Sequence, residues 1–307
     1  MEALEQVRWL LSPAVAGVAV AVLAGVLSPV VVTKRMAFIG QGVSHAAFGA
    51  AGVAAVLGLA LGAGAGASVL TSPAGYYVVV GGFCVGAALV IGASSGQGGR
   101  RGGVGGGAGG RGGGLDTGIG VVLVASMALG AILLRIAADA GGPRVPLETL
   151  LFGSLLGVTR GDAAAAWIVA GACVALAWVG RRPALAWAFD ERGARSLGVR
   201  TGAVRAAVLV LLAVAIVLAM RLAGVLLATS LLVLPGATAL RLSDRLGAVW
   251  AVSIGTGVAG VAGGLAASVA TDWPPGPTIA AVQTAMWAAA CVIGAASAGS
   301  WPSRGKS

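Results

Sequence analysis

The sequence predicts an all-α integral membrane protein, and three observations support this fold class. Of the 307 residues, 58% are hydrophobic and only 10% are charged, whereas about a quarter are charged in a typical soluble domain. The mean hydropathy is +0.98. Apolar runs of about 20 residues, the length that crosses a hydrocarbon core as a helix, recur along the whole chain.

Nine apolar runs are candidate spans, and we expect eight or nine transmembrane helices in a single domain covering residues 1–307. They lie near residues 10–32, 40–62, 76–94, 117–136, 163–180, 203–220, 224–240, 247–270 and 279–296. The first run has full span length and its flank is not basic, so we expect no cleavable signal peptide. A re-entrant or interfacial first segment would give eight spans and place the N-terminus on the other side.

The net charge of +10 is distributed unevenly between the loops. With nine spans, fifteen basic residues fall in one set of alternate loops: Lys34, Arg35, Arg100, Arg101, Arg111, Arg181, Arg182, Arg192, Arg195, Arg200, Arg205, Arg241, Arg245, Arg304 and Lys306. The other set holds five: Arg8, Arg135, Arg144, Arg160 and Arg221. This asymmetry predicts a multi-pass protein of the cell membrane with the first set and the C-terminus in the cytoplasm, and the N-terminus outside. It leaves nucleic acid without support as a partner.

A stretch of glycine and arginine covers residues 96–114. It cannot bury enough apolar surface to offset its ordering entropy, so we expect a disordered cytoplasmic loop. No strand precedes its G-x-G-x-x-G pattern, which therefore does not indicate a nucleotide site. Its three arginines leave an interaction with anionic membrane lipid open.

The composition gives little indication that this chain is an enzyme. The chain has a single histidine and ten acidic residues, with no Cys/His or Ser/His/Asp grouping that the sequence brings together. Cys84, Cys173 and Cys291 each lie within an apolar run and are expected to be small core residues. We expect no catalytic residues and no bound cofactor.

The single histidine, His45, follows Gln41 by four residues inside an apolar run. This spacing puts both side chains on one face of a helix, with Ser44 on its flank. A neutral imidazole nitrogen and an amide oxygen can both bind a divalent metal. The same side chains also hydrogen-bond to each other or across helices in membranes. Spacing alone leaves both readings open, and two ligands are too few for a metal site without a further helix or a symmetry mate.

Two charged connectors are candidates for a partner surface or for simple solvated turns. One covers residues 189–200, where the charges alternate. The other covers residues 241–245 and follows the segment LPGAT at 234–238.

Taken together, these segments resemble the permease subunit of the zinc/manganese/iron-type ABC importers. Residues 35–46 resemble that family's R-M-A-F-I-G-D-A-L-S-H-A segment. The further matches are DTGIG at 116–120, LFGSLL at 151–156, FD at 189–190 with SLGV at 196–199, LPGATA at 234–239 and PGPT at 275–278. Their order and spacing cover nearly the whole chain.

The resemblance implies a fold similar to the cobalamin and siderophore importer permeases, and a homodimer of permease copies. It also implies two cytoplasmic ATP-binding-cassette subunits, which hydrolyse ATP, and an extracytoplasmic metal-binding protein. The substrate would be a divalent metal, zinc or manganese first, passing His45 and Gln41. The ATPase-coupling residues would be a coupling helix, Ala239, Leu240, Arg241, Leu242, Ser243, Asp244 and Arg245, with Phe189, Asp190 and Glu191 close by.

One departure from the family pattern bears on the substrate. Where the family usually has an aspartate four residues before its histidine, this chain has Gln41. A neutral amide removes the strongest attraction for a dication. An ABC permease for a metal chelate or another small solute therefore stays open, as does an ATP-independent carrier.

Overall fold

The structure is a computed structural model that describes residues 2–61, 73–97, 113–141 and 158–298. Within these ranges the chain is helical and contains no β-strand, which confirms the all-α prediction. The helices are α1 (Glu2–Thr33), α2 (Ala37–Ala60), α3 (Pro73–Gln97), α4 (Gly113–Asp139), α5 (Arg160–Val179), α6 (Arg181–Phe189), α7 (Glu191–Ser196), α8 (Thr201–Leu242), α9 (Leu246–Thr271) and α10 (Pro275–Ala298).

Eight segments of the described helices are long and apolar enough to cross a membrane, which confirms the expected eight or nine spans. They are Leu11–Thr33, Ala37–Ala60, Gly118–Asp139, Arg160–Val179, Thr201–Met220, Gly224–Leu242, Leu246–Thr271 and Pro275–Gly294. The remaining predicted run falls in α3, whose apolar stretch, Val78–Ala93, is shorter.

The packing of α2 against α4 favours a crossing by α3. Gly42 of α2 lies against Ile119 of α4, and Gly52 lies against Gly130. The two helices therefore run in the same direction, and the chain between them has to return across the bilayer. With 25 residues, α3 is about 37 Å long, which is enough for a core of about 30 Å.

Helix α8 contains two spans rather than one. Its 42 residues would extend about 63 Å, twice the thickness of the hydrocarbon core. Gly224 interrupts it with φ 80° and ψ 173°, a conformation that favours glycine because a Cβ would be strained there. The predicted runs at 203–220 and 224–240 are confirmed on either side of this break.

The two halves of α8 form a hairpin against α1. Gly236, in the second half, hydrogen-bonds to Ser28. Ala203 and Ala207, in the first half, line one cavity together with Val30 of α1. Positions near both ends of α8 thus lie at the same level of α1, and Gly224 lies at the opposite end of the bundle.

One end of the bundle gathers loops that the sequence assigned to the same side, and we call it the basic end. There, Lys34 lies 4.0 Å from Glu191. Thr33 and Leu240 line a common cleft, and Gly294 of the last helix lies against the backbone of Arg241. The loops after α1 and α8 and the segment containing α6 and α7 therefore meet at one end.

Several predicted features lie outside the described residues. Within the glycine and arginine stretch, residues 96–97 and 113–114 belong to α3 and α4, whereas 98–112 are not described. The LFGSLL segment at 151–156 and the tail at 299–307 also fall outside the described ranges.

Candidate functional site

A tight connection places the two predicted site residues near the start of α2. Helix α1 ends at Thr33 and α2 begins at Ala37. In the connection between them, Arg35 adopts φ 55°, and the N–H of Met36 donates to the carbonyl of Val31 at 2.8 Å. This turn fixes where α2 starts and which way its faces point.

Gln41 and His45 share one face of α2 and are hydrogen-bonded to each other. The Nε2 atoms of the two side chains are 3.0 Å apart. An amide nitrogen donates and does not accept, so the ring nitrogen of His45 is the acceptor. The lone pair with which Nε2 would bind a metal is therefore engaged by Gln41.

This polar face is the side of α2 that the rest of the chain leaves half-exposed. Gln41 and His45 are both partly accessible, whereas Val43, Ser44 and Ala46 are buried. His45 lies eight residues into α2, about 12 Å along its axis, which is well inside a core of about 30 Å. A polar ring left half-covered at that depth is expensive unless a pathway, a partner or water meets it.

Ser44 does not join this pair. Its hydroxyl donates to the backbone carbonyl of Gly40 at 2.8 Å within the packed part of α2. Across the described ranges, no group of three or more His, Cys, Asp and Glu side chains is arranged to hold a metal ion. Any metal at His45 and Gln41 would need ligands from outside these residues.

The coupling helix expected over Ala239 to Arg245 is not a separate element. Residues 239–242 are the last turn of α8, Ser243 ends that helix with an extended backbone, and α9 begins at Leu246. The prediction of one helix is wrong because Ser243, at φ −153°, breaks the helical path. The short independent helices at this end are α6 and α7.

The structure brings Phe189 to this turn, although the two are about 50 residues apart in sequence. Phe189, Leu240 and Leu246 line a common cleft. Phe189 is 64% exposed and Leu242 is 43% exposed. We call Phe189, Leu240, Leu242 and Leu246 the apolar patch. Arg241, Asp244 and Arg245 lie beside it and are exposed.

Glu191 and Asp190 are engaged within the chain. The Glu191 carboxylate accepts from Arg195 at 2.7 Å and from Arg205 at 3.1 Å. Lys34 lies 4.0 Å from the other carboxylate oxygen. Asp190 caps α7 by accepting from the N–H of Arg192 at 2.9 Å. Of the predicted coupling residues, these two hold α7 in place rather than presenting free carboxylates.

Lys34 is the residue that sequence reasoning missed at this end. Its ammonium lies 4.5 Å from the ring centroid of buried Trp187, as well as beside Glu191. Burial lowers the pKa of Lys34, whereas Glu191 acts to raise it. The sequence showed Lys34 only as a loop cation that reports orientation, because nothing local to it indicates its partners.

Comparisons with known proteins agree with this architecture. The sequence model of the ABC 3 transport family matches residues 6–82 and 114–294. A probable metal transport system membrane protein of Thermotoga maritima is 27% identical over 86% of this chain and 83% of its own length. The manganese transport system membrane protein MntC of Halalkalibacterium halodurans is 28% identical over 90% of this chain and 84% of its own length.

A solved structure shares the fold. It is PsaBC from Streptococcus pneumoniae in complex with Fab, with a TM-score of 0.74 and 22% identity, covering 94% of this chain and 93% of that chain. The helix order, the arrangement of the spans and the extent of the family match lead to one conclusion. The chain belongs to the ABC 3 transport family.

Proposed function

We propose that this chain is the membrane-spanning subunit of an ATP-driven importer for divalent metal ions, with manganese or zinc as the first candidates. The observation that carries the proposal is the half-exposed pair of Gln41 and His45 in the first turns of a membrane-spanning helix, in a chain of the ABC 3 transport family. Two relatives, a probable metal transport system membrane protein and a manganese transport system membrane protein, support the substrate class.

His45 would act as a transient ligand on the pathway. To bind an ion through Nε2, its ring has to leave the hydrogen bond to Gln41. A second copy of the chain, facing this surface of α2, would supply another His45 and Gln41 and would cover both from lipid. With no carboxylate in the pair, binding is weak, which suits a site that has to release its ion.

The energy would come from separate ATP-binding-cassette subunits docked at the basic end. The excess of basic residues in the loops that meet there supports a cytoplasmic location for that end and for the C-terminus. The apolar patch of Phe189, Leu240, Leu242 and Leu246 would be the surface they contact. An extracytoplasmic metal-binding protein would deliver the ion at the opposite end.

The first experiment measures uptake of radioactive manganese and zinc in cells that depend on this transporter together with its ATPase. We expect His45→Ala to abolish most uptake because it removes the pathway nitrogen. Ser44→Ala is the matched control, since its hydroxyl bonds only within the packed side of α2. Unchanged uptake by His45→Ala, at normal protein levels, would show that His45 is not on the pathway.

The neutral amide of Gln41 supports a second candidate, an importer of a metal chelate or another small solute. Reconstituted complexes separate the two candidates, because free ions and chelates can be compared as stimulants of ATP hydrolysis. Stimulation by free Mn²⁺ or Zn²⁺ supports the first candidate, and stimulation by chelates alone supports the second. Transport in vesicles that lack any ATPase would overturn both in favour of an ATP-independent carrier.

The coupling surface is tested by reversing charge beside the apolar patch. We expect Arg241→Glu with Arg245→Glu to lower ATPase association and transport. Arg182→Glu is the control, because it reverses an exposed cation at the same end outside the patch. Equal association of both variants with the ATPase would overturn this docking surface.

A further inference from the structure

An apolar cavity of about 310 Å³ opens near the basic end. Its walls come from α1, the junction of α5 and α6, the start of α8, and one side chain of α9. The lining includes Val30, Ala184, Ala207, Leu211 and Trp250. Of the described residues that line it, Arg181 alone is charged. Such a cavity does not suit water, which needs several polar partners.

Arg181 is held at this cavity in a defined position. Its guanidinium lies 3.9 Å from the ring centroid of Trp178, a cation–π contact that limits where the charge can go. No ion pair to a carboxylate accompanies this contact within the described part of the chain. Arg181 therefore presents a positive charge that the fold has positioned and has not neutralised.

Trp250 also lines this cavity. Its ring lies 6.5 Å from that of Trp178, centroid to centroid. Its indole Nε1 is buried and has no hydrogen-bond partner among the described residues. Because this nitrogen is enclosed by the protein, Trp250 contributes its apolar ring to the cavity wall.

The level of the cavity in the bundle narrows the choice of ligand. Gly180 joins the end of a span, Arg160–Val179, to the amphipathic helix α6. This junction is where hydrocarbon gives way to headgroups, and where Trp and Arg side chains concentrate. Basic pockets between transmembrane helices at this level bind anionic lipid headgroups.

We propose that this cavity binds one anionic phospholipid from the leaflet at the basic end. An acyl chain fills the apolar cavity, and the phosphate meets the guanidinium of Arg181. An apolar volume beside an unneutralised cation matches the acyl chain and the phosphate of a glycerophospholipid. The site is separate from Gln41 and His45, and it does not depend on the identity of the transported ion.

Native mass spectrometry of the detergent-purified full chain tests this site. The probes are dioleoyl phosphatidylglycerol and dioleoyl phosphatidylcholine, which share their acyl chains and differ in net charge. We expect single adducts of the anionic lipid to exceed those of the zwitterionic lipid about fivefold, the effect of one basic residue near the surface. Arg181→Gln should remove this preference, whereas Arg182→Gln, the exposed neighbour that does not line the cavity, should retain it.

A variant that fills the cavity tests whether an acyl chain occupies it. We expect Ala207→Phe to reduce adducts of both lipids, with thermal stability and elution volume checked against the parent protein. A second filling variant, Ala184→Leu, gives the same test if Ala207→Phe does not fold. Equal adducts of the two lipids, an equal loss in the two arginine variants, or full retention in both filling variants would overturn the proposal. Adducts on the monomer that vanish from the dimer would assign this face to a second copy and would also overturn it.

Discussion

The hydroxyl of Ser28 accepts a hydrogen bond from the backbone N–H of Gly236 at 2.8 Å, and this bond joins α1 to α8. Pro235, directly before Gly236, has no N–H and interrupts the hydrogen-bond ladder of α8. Ser28 is fully buried, and a Cβ on Gly236 would lie 2.6 Å from the Ser28 backbone. The LPGAT segment is therefore a docking point between two helices just before the apolar patch.

We expect Ser28→Ala to destabilise the protein by about 1–3 kcal/mol, the cost of leaving a buried donor without its acceptor. The measurement is the apparent Tm of the detergent-purified chain. Ser44→Ala is the control, because Ser44 is equally buried but donates to a helix carbonyl, so its loss orphans no N–H. Equal Tm values for the two variants would contradict the role of Ser28.

Gly236→Ala tests the close approach itself. The added methyl forces α1 and α8 apart, and overpacking of this kind costs about 1–3 kcal/mol. Gly255→Ala is the matched control, because a Cβ at Gly255 meets nothing within 4 Å. We expect a lower Tm for the first variant alone, and a similar Tm for both would show that the helices are not closely packed there.

Glu191 anchors α7 to the connection between α1 and α2 and to α8. We expect Glu191→Gln to cost about 1–2 kcal/mol, because Arg195, Arg205 and Lys34 lose a shared anion at a partly exposed site. Hydrogen exchange of the amides in 187–197 should become faster. Asp139→Asn is the control, since its pair with Arg135 is exposed and worth under about 1 kcal/mol. Unchanged exchange in 187–197 would exclude the anchoring role.

The titration of Lys34 is directly measurable, because the chain contains only two lysines, Lys34 and Lys306. After reductive ¹³C-methylation, Lys34→Arg identifies the Lys34 signal in the NMR spectrum. We expect its pKa to lie below the usual 10.5, because burial disfavours the charged form. Glu191→Gln should lower this pKa further, since the carboxylate acts to raise it. A pKa at or above the usual value would show that the ammonium is not desolvated.

The sign of the corresponding effect on stability follows from the lowered pKa. Below the folded-state pKa, Lys34 is charged in the folded and the unfolded chain, and its burial cost is fully present. This cost is relieved as the pH rises through the folded-state pKa toward 10.5. The contribution of Lys34 to unfolding free energy should therefore increase with pH in that window, and Lys34→Met should remove this dependence.

Gln41→Asp would restore the carboxylate that the resembled family usually has. We expect it to raise the affinity of the purified chain for Mn²⁺ at least about tenfold, or 1.4 kcal/mol, measured by equilibrium binding. Gln41→Asn is the control, because it has the same shape and no charge. Equal affinities of the two variants would show that position 41 does not contact the ion.

The membrane spans could be predicted from the sequence because hydropathy is a local sum over about 20 residues. The runs at 203–220 and 224–240 predicted two spans, but only the structure showed that Gly224 is the residue that breaks α8. The end of α8 at Leu242 could not be predicted from the sequence, because the extended backbone of Ser243 depends on where α9 packs. The hydrogen-bond partner of Gly236 could not be predicted from the sequence either, because Ser28 is 208 residues away.

By itself, the sequence determined the membrane class, a count of eight or nine spans, the asymmetry of the loop charges and the family resemblance. The tertiary structure alone decided which distant groups meet: Lys34 with Glu191, Ser28 with Gly236, and Trp178 with Trp250. The physical reason is that hydropathy fixes the depth of a residue in the bilayer. The rotation of each helix about its axis, which selects side-chain partners, is set by packing against neighbouring helices.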